Sequence, residues 1–90
     1  MAIIITYDIN KKHTEFKTEM ATLGYKDQIP GTVNCKIIYF PNTTLYHKTK
    51  SSSEARDDAQ TISKKLNIDL ERCVASIWEN WAAICGSDFK

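Results

Sequence analysis

Residues 2–8 read Ala-Ile-Ile-Ile-Thr-Tyr-Asp, and this apolar, β-branched run is typical of a buried strand. Ile3, Ile5 and Tyr7 alternate along the run and point to one face, while the residues between them are also mostly apolar. A strand with two apolar faces is usually covered on both sides. We therefore predict that this strand lies in the centre of its sheet.

The segment that follows has the pattern of a short amphipathic helix. Phe16, Met20 and Leu23 are spaced so that they share one face of a helix over 13–23. Gly24 comes directly after this segment, in the place where a glycine commonly ends a helix. The sequence therefore predicts that the first helix stops at Gly24.

A second helix is predicted over 52–66, and its start is marked by a capping box. In Ser51-x-x-Glu54, the serine side chain accepts from a helix amide and the glutamate reaches back to the serine amide. A narrow stripe of small and apolar residues follows at helical spacing, which favours close packing on a sheet. The stripe consists of Ala55, Ala59, Ile62 and Leu66.

Two strands, over 33–40 and 43–47, are predicted to form a hairpin around Pro41-Asn42, and 25–32 is expected to be irregular. Alternation along the first of these strands selects one set of residues as its core face. This set is Val33, Cys35, Ile37 and Tyr39.

A last strand is predicted over 72–78, and a short apolar segment follows it at 81–85. The order of elements is then β-α-β-β-α-β. We predict an α+β fold of the ferredoxin-like type, with an antiparallel four-stranded sheet and both helices on one of its faces. A single domain is expected over 1–86, with a tail at 87–90.

Composition narrows the classes of function. The chain has 90 residues and a formal net charge of +1, with 42% hydrophobic and 26% charged residues. This balance argues against disorder, a strongly basic nucleic-acid binder or an acidic mimic of nucleic acid. Cys35, Cys73 and Cys85 lack the spacing of a metal site and are odd in number, so we expect reduced cysteines in a cytoplasmic protein without membrane spans.

Five short motifs occur in a characteristic order along the chain. They are Tyr7-Asp8-Ile9-Asn10, Leu23-Gly24-Tyr25, Thr43-Thr44-Leu45, Ser51-Ser52-Ser53-Glu54 and Trp81-Ala82-Ala83. With these motifs the chain resembles the small CRISPR-associated metal-dependent nuclease and integration-complex family, and more so its stand-alone relatives that begin with Tyr-Asp-Leu-Asn.

The resemblance implies a ferredoxin-like homodimer in which sheets or strand edges meet. In the nuclease members, an aspartate at the end of the first strand of each protomer helps to bind a divalent cation, and Asp8 matches that position. Asp8 is therefore the candidate catalytic residue and the candidate ligand of Mg²⁺. The alternative is that Asp8 caps the turn that follows it. The chain departs from the nuclease members at Lys11-Lys12-His13 and lacks their Ser-Val-Phe strand.

Two further sets of residues are candidates for binding. Lys48, Lys50 and Arg56 flank the start of the second helix, where a phosphate of RNA or DNA is attracted, although an ordinary capped helix explains the same residues. His13 and His47 are expected to be solvated polar residues. Aromatic residues are expected at an interface or in the core rather than beneath stacked bases. They are Tyr39, Phe40, Tyr46, Trp78 and Trp81.

Two hypotheses of function follow. The first is a small non-catalytic protein-interaction or regulatory module, homodimeric and from a mobile element, whose partners are a second copy or another protein. The alternative is a metal-dependent endonuclease or nucleic-acid-binding homodimer that uses Asp8, with Mg²⁺ as its cofactor and RNA or DNA as its partner. The neutral charge and the missing catalytic cluster favour the first hypothesis.

Overall fold

The computed structural model describes residues 2–31 and 36–79. Within these ranges the chain forms five strands and two helices. In chain order they are β1 (Ile3–Ile9), α1 (His13–Thr22), β2 (Gln28–Pro30), β3 (Ile37–Tyr39), β4 (Thr44–His47), α2 (Ser52–Leu66) and β5 (Leu70–Ile77). The segment predicted at 81–85 and the tail at 87–90 lie outside the described residues.

The first strand occupies the centre of the main sheet, as predicted. The strand order is β4-β1-β5, and both neighbours run antiparallel to β1. Ile3, for example, is opposite His47 on one side and Ile77 on the other. Since β4 and β5 are both antiparallel to β1, they are parallel to each other, and α2 connects them across β1.

The predicted hairpin between 33–40 and 43–47 is wrong. β3 pairs instead with β2, a strand inside the segment that was expected to be irregular, and the two form a separate two-stranded sheet. One edge of β4 is occupied by β1, and on its other edge Tyr46 exchanges two backbone hydrogen bonds of 2.8 Å with Lys26. No edge of β4 is therefore left for β3 at this point.

The core face predicted for the strand over 33–40 is also wrong where it is described. Ile38, at 4% exposure, is buried opposite Ile29, while Ile37 is 38% exposed and faces away. The reason is the change of partner, because packing against β2 buries the opposite set of alternate residues. Val33 and Cys35 lie outside the described residues.

The structure confirms the predicted second helix and its capping box. Ser51 Oγ accepts from the Glu54 amide at 3.1 Å, and Glu54 Oε1 accepts from the Ser51 amide at 2.9 Å, so the capping box is complete. The hydrogen bonds from Ser51 lower the pKa of Glu54. Along the predicted stripe, Ala55, Ala59 and Ile62 are buried and Leu66 is partly buried.

The structure confirms the predicted apolar face of the first helix except at one residue. Phe16 and Met20 are fully buried, but Leu23 is 40% exposed. The helix ends at Thr22, so Leu23 has left the helical path and no longer continues the apolar face. Gly24 follows with φ of +96°, a conformation that favours glycine, and it ends the helix as predicted.

One hydrophobic core lies between the helices and one face of β1. Every second residue of β1 is buried there, together with apolar residues from both helices, so the two helices cover the same face. The fold is thus α+β, with an antiparallel three-stranded sheet and a separate two-stranded sheet rather than one four-stranded sheet. Within residues 2–31 and 36–79, no helix has the length and apolarity to cross a membrane. The core residues are Ile3, Ile5, Tyr7, Ile9, Phe16, Met20, Tyr25, Leu45, Ala55, Ala59, Ile62 and Ile68.

Candidate interaction surface

The face of the main sheet that points away from the helices is called the open face here. Because side chains alternate along a strand, the residues between the buried ones on β1 lie on this face. Ile4 and Thr6 of β1 are opposite Tyr46 and Thr44 on β4, and opposite Ser76 and Val74 on β5. Val74 is 67% exposed, so this face presents apolar surface to solvent.

Three of the predicted interface residues form an aromatic cluster at one end of the open face. The ring centroid of Trp78 lies 5.6 Å from that of Phe40 and 6.3 Å from that of Tyr46, both in edge-to-face geometry. The ring centroids of Phe40 and Tyr46 are 6.2 Å apart. The aromatic cluster, Phe40, Tyr46 and Trp78, combines residues from three separate parts of the chain. Such pairs contribute about 0.5–1.5 kcal/mol beyond burial.

The remaining two aromatic residues of that prediction are not part of these ring contacts. Tyr39 lies on β3 opposite Gln28 and is half-buried. Trp81 lies outside the described residues. The structure therefore brings together three of the five predicted interface residues.

The outer edge of β5 has no strand paired with it in the described part of the chain. The Trp78 amide donates to the Ala2 carbonyl at 2.9 Å, so the backbone groups of Trp78 face the central strand. In an antiparallel pair every second residue directs its backbone groups to the same neighbouring strand. Residues 72, 74 and 76 direct their backbone groups towards β1. The backbone groups of Cys73, Ala75 and Ile77 consequently point to the outer edge.

Asp8, the candidate metal ligand, lies at the end of β1 opposite Arg72 on β5. Its Oδ2 accepts a hydrogen bond of 2.5 Å from Arg72 Nε, and this contact raises the pKa of Arg72. The described residues contain no group of three or more His, Cys, Asp or Glu placed to hold a metal ion. Asp8 as a metal ligand stays a prediction, with a guanidinium as its observed partner.

The three predicted phosphate-binding cations have different surroundings. Lys50 forms an ion pair with Asp58, and Arg56 forms one with Asp57 at 3.1 Å. Lys48 is exposed at the end of β4. Two of these three cations are thus paired with carboxylates of α2.

A buried polar cluster around His47 was not predicted. His47 Nδ1 accepts from the Thr49 and Lys50 amides at 3.1 and 3.2 Å, so Nε2 carries the proton that it donates to the Leu23 carbonyl at 2.9 Å. Tyr25 packs edge-on against the His47 ring, with centroids 4.8 Å apart. The expectation that His47 is solvated is wrong, because the segment that follows α1 covers its ring with Leu23 and Tyr25. His13 is exposed at the start of α1, as expected.

Tyr25 links this cluster to α2. Its hydroxyl donates to Asp58 Oδ2 at 2.7 Å, and Lys50 donates to the same oxygen. Burial, followed by the hydrogen bond to Asp58, raises the pKa of Tyr25. The sequence signal that could have indicated this cluster is the alternation along β4, which places His47 on the same face as the buried Leu45.

Comparisons with known proteins give no match: no protein-family model, no curated protein and no solved structure resembles this chain significantly.

Proposed function

We propose that this chain is a non-catalytic interaction or regulatory module that acts as a homodimer, with the outer edge of β5 as the contact between two copies. The observation that carries the proposal is the eight-residue edge strand. Its charged residues, Glu71 and Arg72, lie near its start, and from Cys73 to Ile77 it contains neither proline nor a charged residue and exposes Val74 and Ile77, at 67% and 51%. Apolar edge segments without such protective residues readily pair with another strand.

Two copies of one edge pair antiparallel around a two-fold axis. With Val74 opposite the partner's Val74, Cys73 lies opposite the partner's Ala75. The outward backbone groups of these residues then exchange hydrogen bonds, and the Val74 side chains meet in the closer, non-hydrogen-bonded pair. The resulting sheet has six strands, in the order β4-β1-β5-β5-β1-β4.

The non-catalytic part of the proposal is supported by the contacts of the predicted catalytic and cationic residues. Asp8 is held by Arg72, and the carboxylates of α2 hold Lys50 and Arg56. Each of these side chains would have to leave an existing partner before it could bind a metal ion or a phosphate. The neutral charge of the chain also provides little long-range attraction for nucleic acid.

The same proposal includes a ferredoxin-like arrangement of the sheet. The order β5-β1-β4, with α2 connecting its two outer strands, matches three positions of that fold. Lys26, which bonds to Tyr46 on the edge of β4 that faces away from β1, stands where the fourth strand of such a sheet would lie. In this interpretation Lys26 alone occupies the position of the fourth strand, and β2 and β3 continue from it as a separate two-stranded sheet.

The test compares two lysine substitutions by light scattering coupled to size-exclusion chromatography. Val74→Lys places two ammonium groups face to face at the proposed axis, so this variant is expected to be monomeric while the wild type is dimeric. Thr6→Lys is the matched control, because Thr6 is exposed on the same face directly opposite Val74 but belongs to the central strand. This control is expected to remain dimeric.

A wild type that stays monomeric at the highest attainable concentration would contradict the homodimer. A dimer that Thr6→Lys dissociates and Val74→Lys leaves intact would assign the contact to the open face and overturn the edge pairing. Circular dichroism of both variants confirms that they retain the fold.

A further inference from the structure

A cavity of about 560 Å³ opens beside the aromatic cluster, at the end of the sheet where β4 finishes. Ile29 and Pro30 of β2 form one apolar wall, and Tyr46 and Trp78 form another. Its volume falls within the range of about 300–1,000 Å³ that is common for sites of small molecules. The cavity therefore has the size and the apolar walls of a ligand site.

The charged residues of the described lining are both positive. Lys26 and Lys48 both line the cavity, and none of its described lining residues is acidic. In the described part of the chain, neither ammonium group forms an ion pair within 4.0 Å of a carboxylate. This differs from Lys50, which is neutralised by Asp58 close by. The two lysines thus provide charge for an anion.

The aromatic walls are held in a defined arrangement. The rings of Tyr46 and Trp78 are nearly perpendicular, at 78°, with centroids 6.3 Å apart. Phe40, which is not among the described lining residues, packs edge-on against Trp78. Two perpendicular rings form a corner in which one more planar ring can stack on one wall and meet the edge of the other.

Another part of the lining consists of His47 and Gly24. Both ring nitrogens of His47 are already engaged, by the Leu23 carbonyl and by two backbone amides. His47 can therefore offer the face of its ring to a ligand but no further hydrogen bond. Gly24 lines the cavity next to this ring, in a conformation that excludes most side chains.

We propose that this cavity binds a small organic anion with a planar aromatic body. The aromatic ring packs in the corner of Tyr46 and Trp78, and the anionic group lies between the ammonium groups of Lys26 and Lys48. A carboxylate and a phosphate meet these requirements equally, so the shared chemistry is an aromatic ring joined to an anion. The site does not depend on the dimer, because the outer edge of β5 does not line it.

The test uses two fluorescent probes with the same aromatic body. One is 8-anilino-1-naphthalenesulfonate, which is anionic, and the other is N-phenyl-1-naphthylamine, which lacks the sulfonate. We expect saturable binding of one anionic probe per chain, weakened about tenfold or more by Lys26→Ala combined with Lys48→Ala, which removes two charge-assisted contacts. Binding of the neutral probe is expected to change less than twofold in that variant.

Lys64→Ala combined with Lys65→Ala is the matched control, because it removes two positive charges from the last turn of α2, away from the cavity lining. Displacement of the anionic probe by indole-3-acetate identifies a carboxylate ligand, and displacement by adenosine 5′-monophosphate identifies a phosphate ligand. Equal affinity for the two probes, an equal effect of the two double variants, or displacement by neither compound would overturn the proposal.

Discussion

Tyr7 and Tyr25 are both buried tyrosines of the same core, and they differ in what their hydroxyl groups meet. The Tyr7 hydroxyl has no hydrogen-bond partner among the described residues, although its ring packs on Phe16 with centroids 4.6 Å apart. The Tyr25 hydroxyl donates to Asp58. A buried polar group without a partner costs free energy, whereas a hydrogen bond to a charged group stabilises the fold.

The same substitution should therefore have opposite effects at these two positions. We expect Tyr7→Phe to leave the free energy of unfolding unchanged or to raise it by up to about 1 kcal/mol, since it removes an unsatisfied hydroxyl. We expect Tyr25→Phe to lower it by about 1–3 kcal/mol, since Asp58 loses a donor. Urea denaturation of the two variants measures both values, and a loss of stability in Tyr7→Phe as large as that in Tyr25→Phe would contradict the assignment of partners.

At the scale of elements, the start of α2 offers a prediction with a close control. Ser51 caps the helix through its hydroxyl, whereas Ser53 is exposed within the first turn. Ser51→Ala should lower the free energy of unfolding by about 1 kcal/mol because the Glu54 amide loses its acceptor. Ser53→Ala should be neutral or slightly stabilising, since alanine is the better helix former. Urea denaturation compares the two, and equal effects would mean that the capping box does not stabilise the helix.

The elements also show which parts of the fold could be predicted from the sequence. The bounds of α2 were predicted correctly because its signals are local, namely a capping box and a stripe at helical spacing. β2 was missed because it is a three-residue strand that ends in Pro30, a residue that indicates a turn in sequence. The partner of β3 was predicted wrongly because pairing depends on which edges the rest of the sheet leaves free, and no local pattern encodes that.

The candidate surface was predictable in its residue types and less so in its arrangement. Phe40, Tyr46 and Trp78 were recognised as aromatic residues for an interface, and they do meet. The contact between Asp8 and Arg72 could not be foreseen, because the two residues are far apart in sequence and face each other only through the pairing of β1 with β5. Of the two lysines that line the cavity, Lys48 was predicted as a phosphate-binding residue near the start of α2, whereas Lys26 belongs to no local motif.

At the scale of the whole molecule, the buried tyrosines predict how stability depends on alkaline pH. Burial raises the pKa of Tyr7 and Tyr25 above the ordinary value of 10.0. Above about pH 10 the unfolded chain therefore releases protons that the folded chain retains, so the free energy of unfolding falls as pH rises. Below that pH the contribution of both residues is fully present.

Chemical denaturation at a series of pH values from neutral to alkaline measures this dependence. The variant that combines Tyr7→Phe with Tyr25→Phe should lose stability less steeply above about pH 10 than the wild type, because two proton-binding sites are gone. Parallel curves for the two proteins in that range would show that other groups cause the alkaline loss.

The central place of β1 also has a consequence for the order in which the molecule is made. Ile3 is translated before both of its neighbours, His47 and Ile77, which follow much later in the chain. During synthesis both edges of β1 are therefore unpaired at first. The second edge is paired only when β5 has left the ribosome. A nascent chain halted before β5 would expose this strand, and an unpaired apolar edge of this kind makes a partly folded chain prone to aggregation.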